Sequence, residues 1–216
     1  MDKPALEILT PLQRRVLDTL FAEEAFARSF YLTGGTALAA FYLRHRYSDD
    51  LDFFTHDAET RFLWPMLQQA MPQLGFTVES RTPQFIRIRF AHELKADFVQ
   101  DIPFRVGVPA QHGSWRVDCL ENITLNKISA IQGRLDVKDY VDLYFLIKDR
   151  PERILVLLEQ ARKKDASIEP FLWSRIIWDV ETFRLLPRMI LPLELKDLVK
   201  FYGDLRRSIL QATAPG

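Results

Sequence analysis

The chain has 216 residues, 48% of them hydrophobic, which is enough to core one large domain or two small ones. Lys plus Arg and Asp plus Glu number 29 each, which excludes a global positive field and restricts any polyanion site to a local patch. The single cysteine, Cys119, excludes an intrachain disulfide and a cysteine-rich zinc site, and it suits a reducing cytoplasm.

The first residues, "MDKPALEILTPLQRRVLDTL", scatter charges through their apolar positions and do not read as a signal peptide. No stretch reaches 18 apolar residues, so no membrane span is expected. "PLQRRVLDTLFAEEAFA" (11–27) has helical spacing with Pro11 placed to open it. "FYLTGG" reads as a buried strand entering a glycine turn, "TALAAFYL" (36–43) as a helix and "LDFFT" (51–55) as a second strand. Residues 61–75 read as a helix that tolerates Pro65 early and stops near Gly75. Alternation over 76–100 predicts two or three antiparallel strands. Residues 101–118 read as irregular or extended, and from Glu121 the pattern is helical to the end. The fold class is α+β, with a sheet-bearing half over 1–118, a helical half over 119–216 and a soft boundary near 110–120.

Two short motifs carry chemistry. A strand, Gly34-Gly35 and then a helix leave backbone N–H groups at a helix start, where an anion is favoured and glycine permits close approach. Thr36 stands where it can cap that helix or touch a phosphate. In "SDDLDFF", Asp50 and Asp52 are two apart at the start of a strand, so a period of two aims both at one divalent ion, with Asp49 facing solvent. Mg²⁺ suits such a sparse carboxylate set, completed by water and phosphate oxygens. Each motif alone is also an ordinary turn. Together, a glycine turn feeding a helix and then Asp-x-Asp on a strand describe a nucleotidyltransferase palm.

"GGTAL" followed by "RYSDDLDFF" resembles the AbiEii/AbiGii-type nucleotidyltransferase-like toxin family of the polymerase-beta-like superfamily. The resemblance continues in "NKISAIQGRLDVKDYVDLYFL", with Lys127, Arg134, Lys138, Asp139, Asp142 and Tyr144, and covers roughly residues 30–146. It implies a palm built on a small mixed sheet, followed by a helical domain that contributes the Lys/Asp motif. It also implies transfer from a nucleoside triphosphate to an RNA acceptor such as a tRNA end, with Mg²⁺ or Mn²⁺ as cofactor. The implied biology is a toxin neutralised by an antitoxin. The implied catalytic residues are Asp50, Asp52, Lys127 and Asp142, with Asp139 as the alternative aspartate. Gly34, Gly35, Thr36, Arg46, Ser48, Lys127, Arg134 and Asp139 are the implied nucleotide contacts, and Asp97 in "KADFV" is the third metal carboxylate or else a strand's polar face.

The residues alone allow Lys127 and Arg134, seven apart, to share a helix face suited to a triphosphate tail, or to be the charged outer face of a helix. Arg44, Arg46, Arg87 and Arg89 form the patch expected to meet RNA, and a solvated strand face is the other reading of Arg87 and Arg89. His45, His56, His92 and His112 lack metal-ligand spacing and read as surface residues, and Cys119 as a packed one. Three rival readings remain. They are a non-catalytic nucleotide binder, a transferase that modifies protein, and an Asp-x-Asp phosphatase with Asp50 as nucleophile. The phosphatase wants an apolar strand before its first aspartate, where "RHRYSD" stands instead.

Overall fold

The computed structural model describes residues 7–56, 63–70 and 75–213. Thr10 opens helix α1 (Pro11–Ala22): its hydroxyl accepts from the Gln13 backbone while the Gln13 side chain accepts from the Thr10 backbone. This reciprocal cap satisfies two helix-end donors, and Pro11 loses nothing at the first position. A short α2 (Glu24–Ser29) hands the chain to β1 (Phe30–Thr33). Helix α3 (Gly34–Ala37) begins at the first glycine and continues as a π-helix over Leu38–Leu43. It stops at Arg44, which lies in the left-handed region with φ 52°.

β2 (Leu51–Thr55) follows, then α4 (Leu63–Ala70); the flanks of the helix expected over 61–75, at 61–62 and 71–74, lie outside the described residues. β3 (Phe76–Arg81), β4 (Phe85–Phe90) and β5 (Leu94–Gln100) realise the alternating stretch as three antiparallel strands. Two short strands, β6 (Ala110–His112) and β7 (Trp115–Val117), occupy the stretch read as irregular or extended. Three residues are too few to display a period of two.

The seven strands form one mixed sheet in the order β3-β4-β5-β2-β1-β7-β6. β1 runs antiparallel to β2 with Thr33 opposite Asp52, and β2 runs parallel to β5 with Asp52 opposite Asp97. Alternation along β2 buries Leu51, Phe53 and Thr55 and leaves Asp52 and Phe54 half-exposed. The buried face carries an aromatic cluster. Phe26 stacks on Phe30 at 4.8 Å between ring centroids and Phe53 on Phe98 at 5.0 Å, and Phe26 meets Phe53 edge-on at 5.4 Å.

Two compact units divide the chain: one holds the residues up to Arg44 and Ser48–Leu120, the other His45–Tyr47 and everything from Glu121. The second unit is built from α5 (Leu120–Gly133, from its second residue on), α6 (Val137–Ile147), α7 (Ile154–Ala161), α8 (Pro170–Ile176) and α9 (Leu195–Thr213). Tyr140, Trp173, Tyr202, Leu205 and Ile209 are buried in it, and the buried hydroxyls find partners. Tyr202 donates to the Tyr140 carbonyl at 2.8 Å and Tyr140 to the Ile176 carbonyl at 3.0 Å. His45–Tyr47 joins this unit as an extended segment, with a β-bridge between Arg46 and Met189. The Ile190 N–H donates to His45 at 2.8 Å and the Tyr47 N–H to Arg188 at 2.9 Å. Among the described residues no helix is long and apolar enough to cross a membrane.

Phe53 is fully buried and touches Phe26 and Phe98, so Phe53→Ala loses a large side chain in a site bounded by rigid rings. Its expected cost is about 3–5 kcal/mol in urea unfolding, and a loss near zero would mean that the aromatic cluster does not anchor the sheet.

Candidate active site

Gly34 takes φ +69°, a conformation that any residue with a Cβ enters at a cost. A Cβ at this position would lie 2.1 Å from Asp52 Oδ2 and 2.9 Å from its Cγ. The carboxylate therefore fills the space left by the missing side chain, at the point where β1 and β2 bring Thr33 opposite Asp52. Thr36 is buried, and its hydroxyl donates to the Asp50 carbonyl oxygen. Asp50 thus stands just before the strand, which starts at Leu51, with its carbonyl turned to Thr36.

Three further contacts hold this corner. Gln13 Nε2 donates to the Ser48 carbonyl at 2.9 Å, so the residue that caps α1 also fixes the approach to Asp50. Thr33 Oγ1 donates to Asp118 Oδ2 at 2.8 Å, and Arg105 donates to the other Asp118 oxygen at 2.9 Å. Asp118 is fully buried. Neither Gln13 nor Asp118 stands out in the sequence, because each is a lone polar residue whose partner is distant.

Charge on the polar face of the sheet is paired across neighbouring strands. Lys95 Nζ lies 2.9 Å from Asp50 Oδ2. Arg87 grips both oxygens of Asp97 at 2.7 Å, and Arg89 meets Glu79 at 2.5 Å. Asp49 is exposed, as expected. Among the described residues no group of three His, Cys, Asp or Glu side chains is placed to hold a metal ion. The set available on this face is Asp50 and Asp52, with Asp97 beside Asp52 in register. These are hard oxygen donors without nitrogen or sulfur, the donor type that Mg²⁺ or Mn²⁺ takes when water and phosphate complete the shell.

The helical unit gathers the remaining motif residues into a buried ionic cluster. Asp142 is fully buried and accepts from Arg46 through both oxygens at 2.6 and 2.7 Å, from Lys127 at 2.6 Å and from His45 Nε2 at 2.7 Å. Lys127 also donates to Asp139 at 2.8 Å, and Arg134 donates to Asp139 at 2.7 Å. Burial alone would raise the Asp142 pKa, but Lys127, Arg46 and the hydrogen bonds from His45 and Arg46 hold it far below the usual carboxylate range. Burial opposes charge on Lys127 too, and Asp142 and Asp139 outweigh it and raise its pKa. For His45 burial wins over Asp142, so its pKa is lowered and the ring is neutral. Nε2 then carries the proton given to Asp142, and Nδ1 has no hydrogen-bond partner among the described residues.

These placements revise several expectations. His45 is buried, not at the surface; its neighbours are brought together by folding and leave no spacing signal. His56 is half-buried and hydrogen-bonded to Tyr31 at 2.9 Å, and half-buried His112 packs on Phe41 with centroids 4.9 Å apart, so of the four only His92 is exposed. Arg46 is buried against Asp142 and adds no charge to a surface patch with Arg44, Arg87 and Arg89. Cys119 is half-buried and donates its thiol to the Val106 carbonyl at 3.1 Å.

Residues 15–119 match the family described as nucleotidyl transferase AbiEii toxin, type IV toxin–antitoxin system. The matched stretch contains Gly34, Asp50, Asp52 and Asp97 and ends before Lys127. An uncharacterised protein of Aquifex aeolicus (strain VF5), aq_aa25, is 27% identical over 173 residues, which cover 73% of this chain and 76% of that protein. Two Helicobacter pylori crystal structures, one of a proposed nucleotidyltransferase and one of JHP933, align with TM-scores of 0.58 and 0.57. Each is 22% identical and covers 98% of this chain, with 97% and 94% of their own lengths included; this is a likeness of fold.

Gly34→Ala forces a Cβ into the left-handed region and against Asp52, so it should cost at least about 1–2 kcal/mol in urea unfolding and displace the carboxylate. Unchanged stability would mean that the chain adopts another turn at this point. Acidification should weaken the fold in two stages. Below about pH 6.5 the unfolded chain takes a proton at His45 that the folded chain refuses, because the folded pKa is lowered. Below about pH 4 it likewise gains protons at Asp139 and Asp142, whose folded pKa values are depressed, so the stability they lend above that range is lost. Denaturation midpoints measured from pH 8 to about pH 2 check this, and His45→Phe should flatten the first stage.

Proposed function

We propose, from the match of residues 15–119 to the AbiEii nucleotidyl transferase family, that the chain transfers a nucleotide from a nucleoside triphosphate to an RNA acceptor, such as a tRNA end. The enzyme class, nucleotidyltransferase, comes with the family; donor, acceptor and metal are the proposal. One observation supports it: the Asp52 carboxylate fills the space beside Gly34, so the backbone proposed to receive phosphate and the side chain proposed to hold metal share one corner. In this reading the backbone from Gly34 and Gly35 receives phosphate oxygens, and Thr36 fixes the Asp50 main chain. Asp50 and Asp52 would hold Mg²⁺ or Mn²⁺, which when bound offsets the charge building on the phosphoryl oxygens. The acceptor hydroxyl attacks the α-phosphorus in line and pyrophosphate leaves, so the chain's part is positioning and charge stabilisation.

In the same reading Lys127 and Asp142 act by holding Arg46, a few residues before Asp50, and Asp139 by holding Lys127. Arg134, 61% exposed although bound to Asp139, is the member of that cluster able to meet a phosphate from solvent. Arg44, Arg87 and Arg89 supply the local positive charge for RNA. The biological role is that of a toxin restrained by an antitoxin, as the family description suggests.

The test is a nucleoside triphosphate labelled at the α-phosphate, given with Mg²⁺ and total cellular RNA. Label should enter a discrete RNA band, fall by about tenfold or more between low and physiological salt, and vanish in Asp52→Asn. Label on protein would replace RNA by a side-chain hydroxyl as acceptor. Nucleotide binding without any transfer would favour a non-catalytic binder.

A further inference from the structure

The polar face of the sheet carries one pairing that nucleotide transfer does not by itself require. Asp50 immediately precedes β2 and Lys95 is the second residue of β5. The parallel register that sets Leu51 beside Ala96 and Asp52 beside Asp97 extends back by one step to Asp50 and Lys95. The ammonium reaches Asp50 Oδ2 at 2.9 Å, and the two side chains are 29% and 35% exposed. The neighbouring cations are otherwise engaged: Arg89, opposite Lys95 on β4, is paired with Glu79, and Arg87 holds Asp97 through both oxygens. The sheet therefore assigns Lys95 to Asp50 by its register.

We propose that Lys95 is the exchangeable counter-ion of Asp50. It holds this carboxylate in the metal-free protein, opposes entry of a divalent ion alone, and turns to the triphosphate oxygens when ion and nucleotide arrive together. The inference rests on Asp50 being a metal ligand, as proposed above. Its physics is charge balance. A divalent ion that displaces Lys95 breaks an ion pair and leaves an ammonium beside a second cation. A metal–triphosphate complex carries net negative charge, which gives the released ammonium a new partner. Metal and nucleotide then bind cooperatively, and reciprocity requires each to raise the other's affinity by the same factor.

Mn²⁺ is the probe, its free concentration followed by electron paramagnetic resonance, with and without a nucleoside triphosphate analogue that has a non-cleavable α–β bridge. Lys95→Met should bind Mn²⁺ alone roughly three- to tenfold more tightly than the unaltered protein, a factor in keeping with a part-exposed ion pair. The coupling between Mn²⁺ and the analogue should shrink by a similar factor, and Lys95→Arg should behave as the unaltered protein does. A purely structural lysine would move neither quantity. Lys95→Gln, which keeps a polar side chain, guards against a folding defect in the methionine variant. If Mn²⁺ binds in a manner abolished by Asp50→Asn but indifferent to both Lys95→Met and Lys95→Gln, the counter-ion role is overturned and the metal site stands. If Asp50→Asn leaves Mn²⁺ binding unchanged, or no protein binds it, the metal reading fails and takes this inference with it.

Discussion

Asp52 Oδ2 occupies the space beside Gly34 that a Cβ would take, so this carboxylate and any side chain at position 34 exclude one another. This contact closes a corner whose other sides are fixed by unrelated parts of the same unit. Thr36 holds the Asp50 carbonyl, Gln13 the Ser48 carbonyl, and Asp118 the Thr33 hydroxyl. Each contact satisfies a polar group where water is scarce, and each would leave an unpaired group if removed. The glycine turn, the Asp-x-Asp strand and the first helix are thereby one object, although they are separated in sequence.

The helical unit solves a different problem. A carboxylate as dry as that of Asp142 is unfavourable unless cations and donors surround it, and Arg46, Lys127 and His45 do so. Such a cluster adds little net stability compared with a well-packed apolar one, but losing one member strands the others, which typically costs about 3–5 kcal/mol. What the cluster does give is definition. Arg46 docks with both its Nε and Nη2 on one carboxylate, and that fixes the extended segment His45–Tyr47 within the helical unit.

Much of this is legible in sequence, for physical reasons. Glycines before a helix, two carboxylates at strand spacing and the alternation of Phe85–Phe90 are local patterns, and local patterns determined β1, β2, β4 and the paired motif. Asp97 is readable as a strand residue, since apolar residues flank it on both sides, whereas its place beside Asp52 is something only the family resemblance implies. What stayed hidden depends on pairing at a distance. Lys95 looks like any strand lysine until the parallel register sets it beside Asp50. His45 looks like a surface histidine until α6 brings Asp142 to it. The π-helical turn over Leu38–Leu43 has no composition that distinguishes it from the α-helix expected there.

The excursion of His45–Tyr47 into the helical unit also bears on how the chain matures during synthesis. Arg46 emerges early from the ribosome, whereas Lys127, Asp142 and above all Met189 follow much later. Contacts of such sequence separation close slowly, because a long loop must be ordered first. The nascent chain can assemble its helix α1 and the Phe76–Gln100 meander from local contacts, and Gln13 is at hand to hold Ser48, but Arg46 has no carboxylate partner until Asp142 has been made. A chain that stops short of Met189 therefore has every strand of its sheet but lacks the partner that Arg46 bridges to.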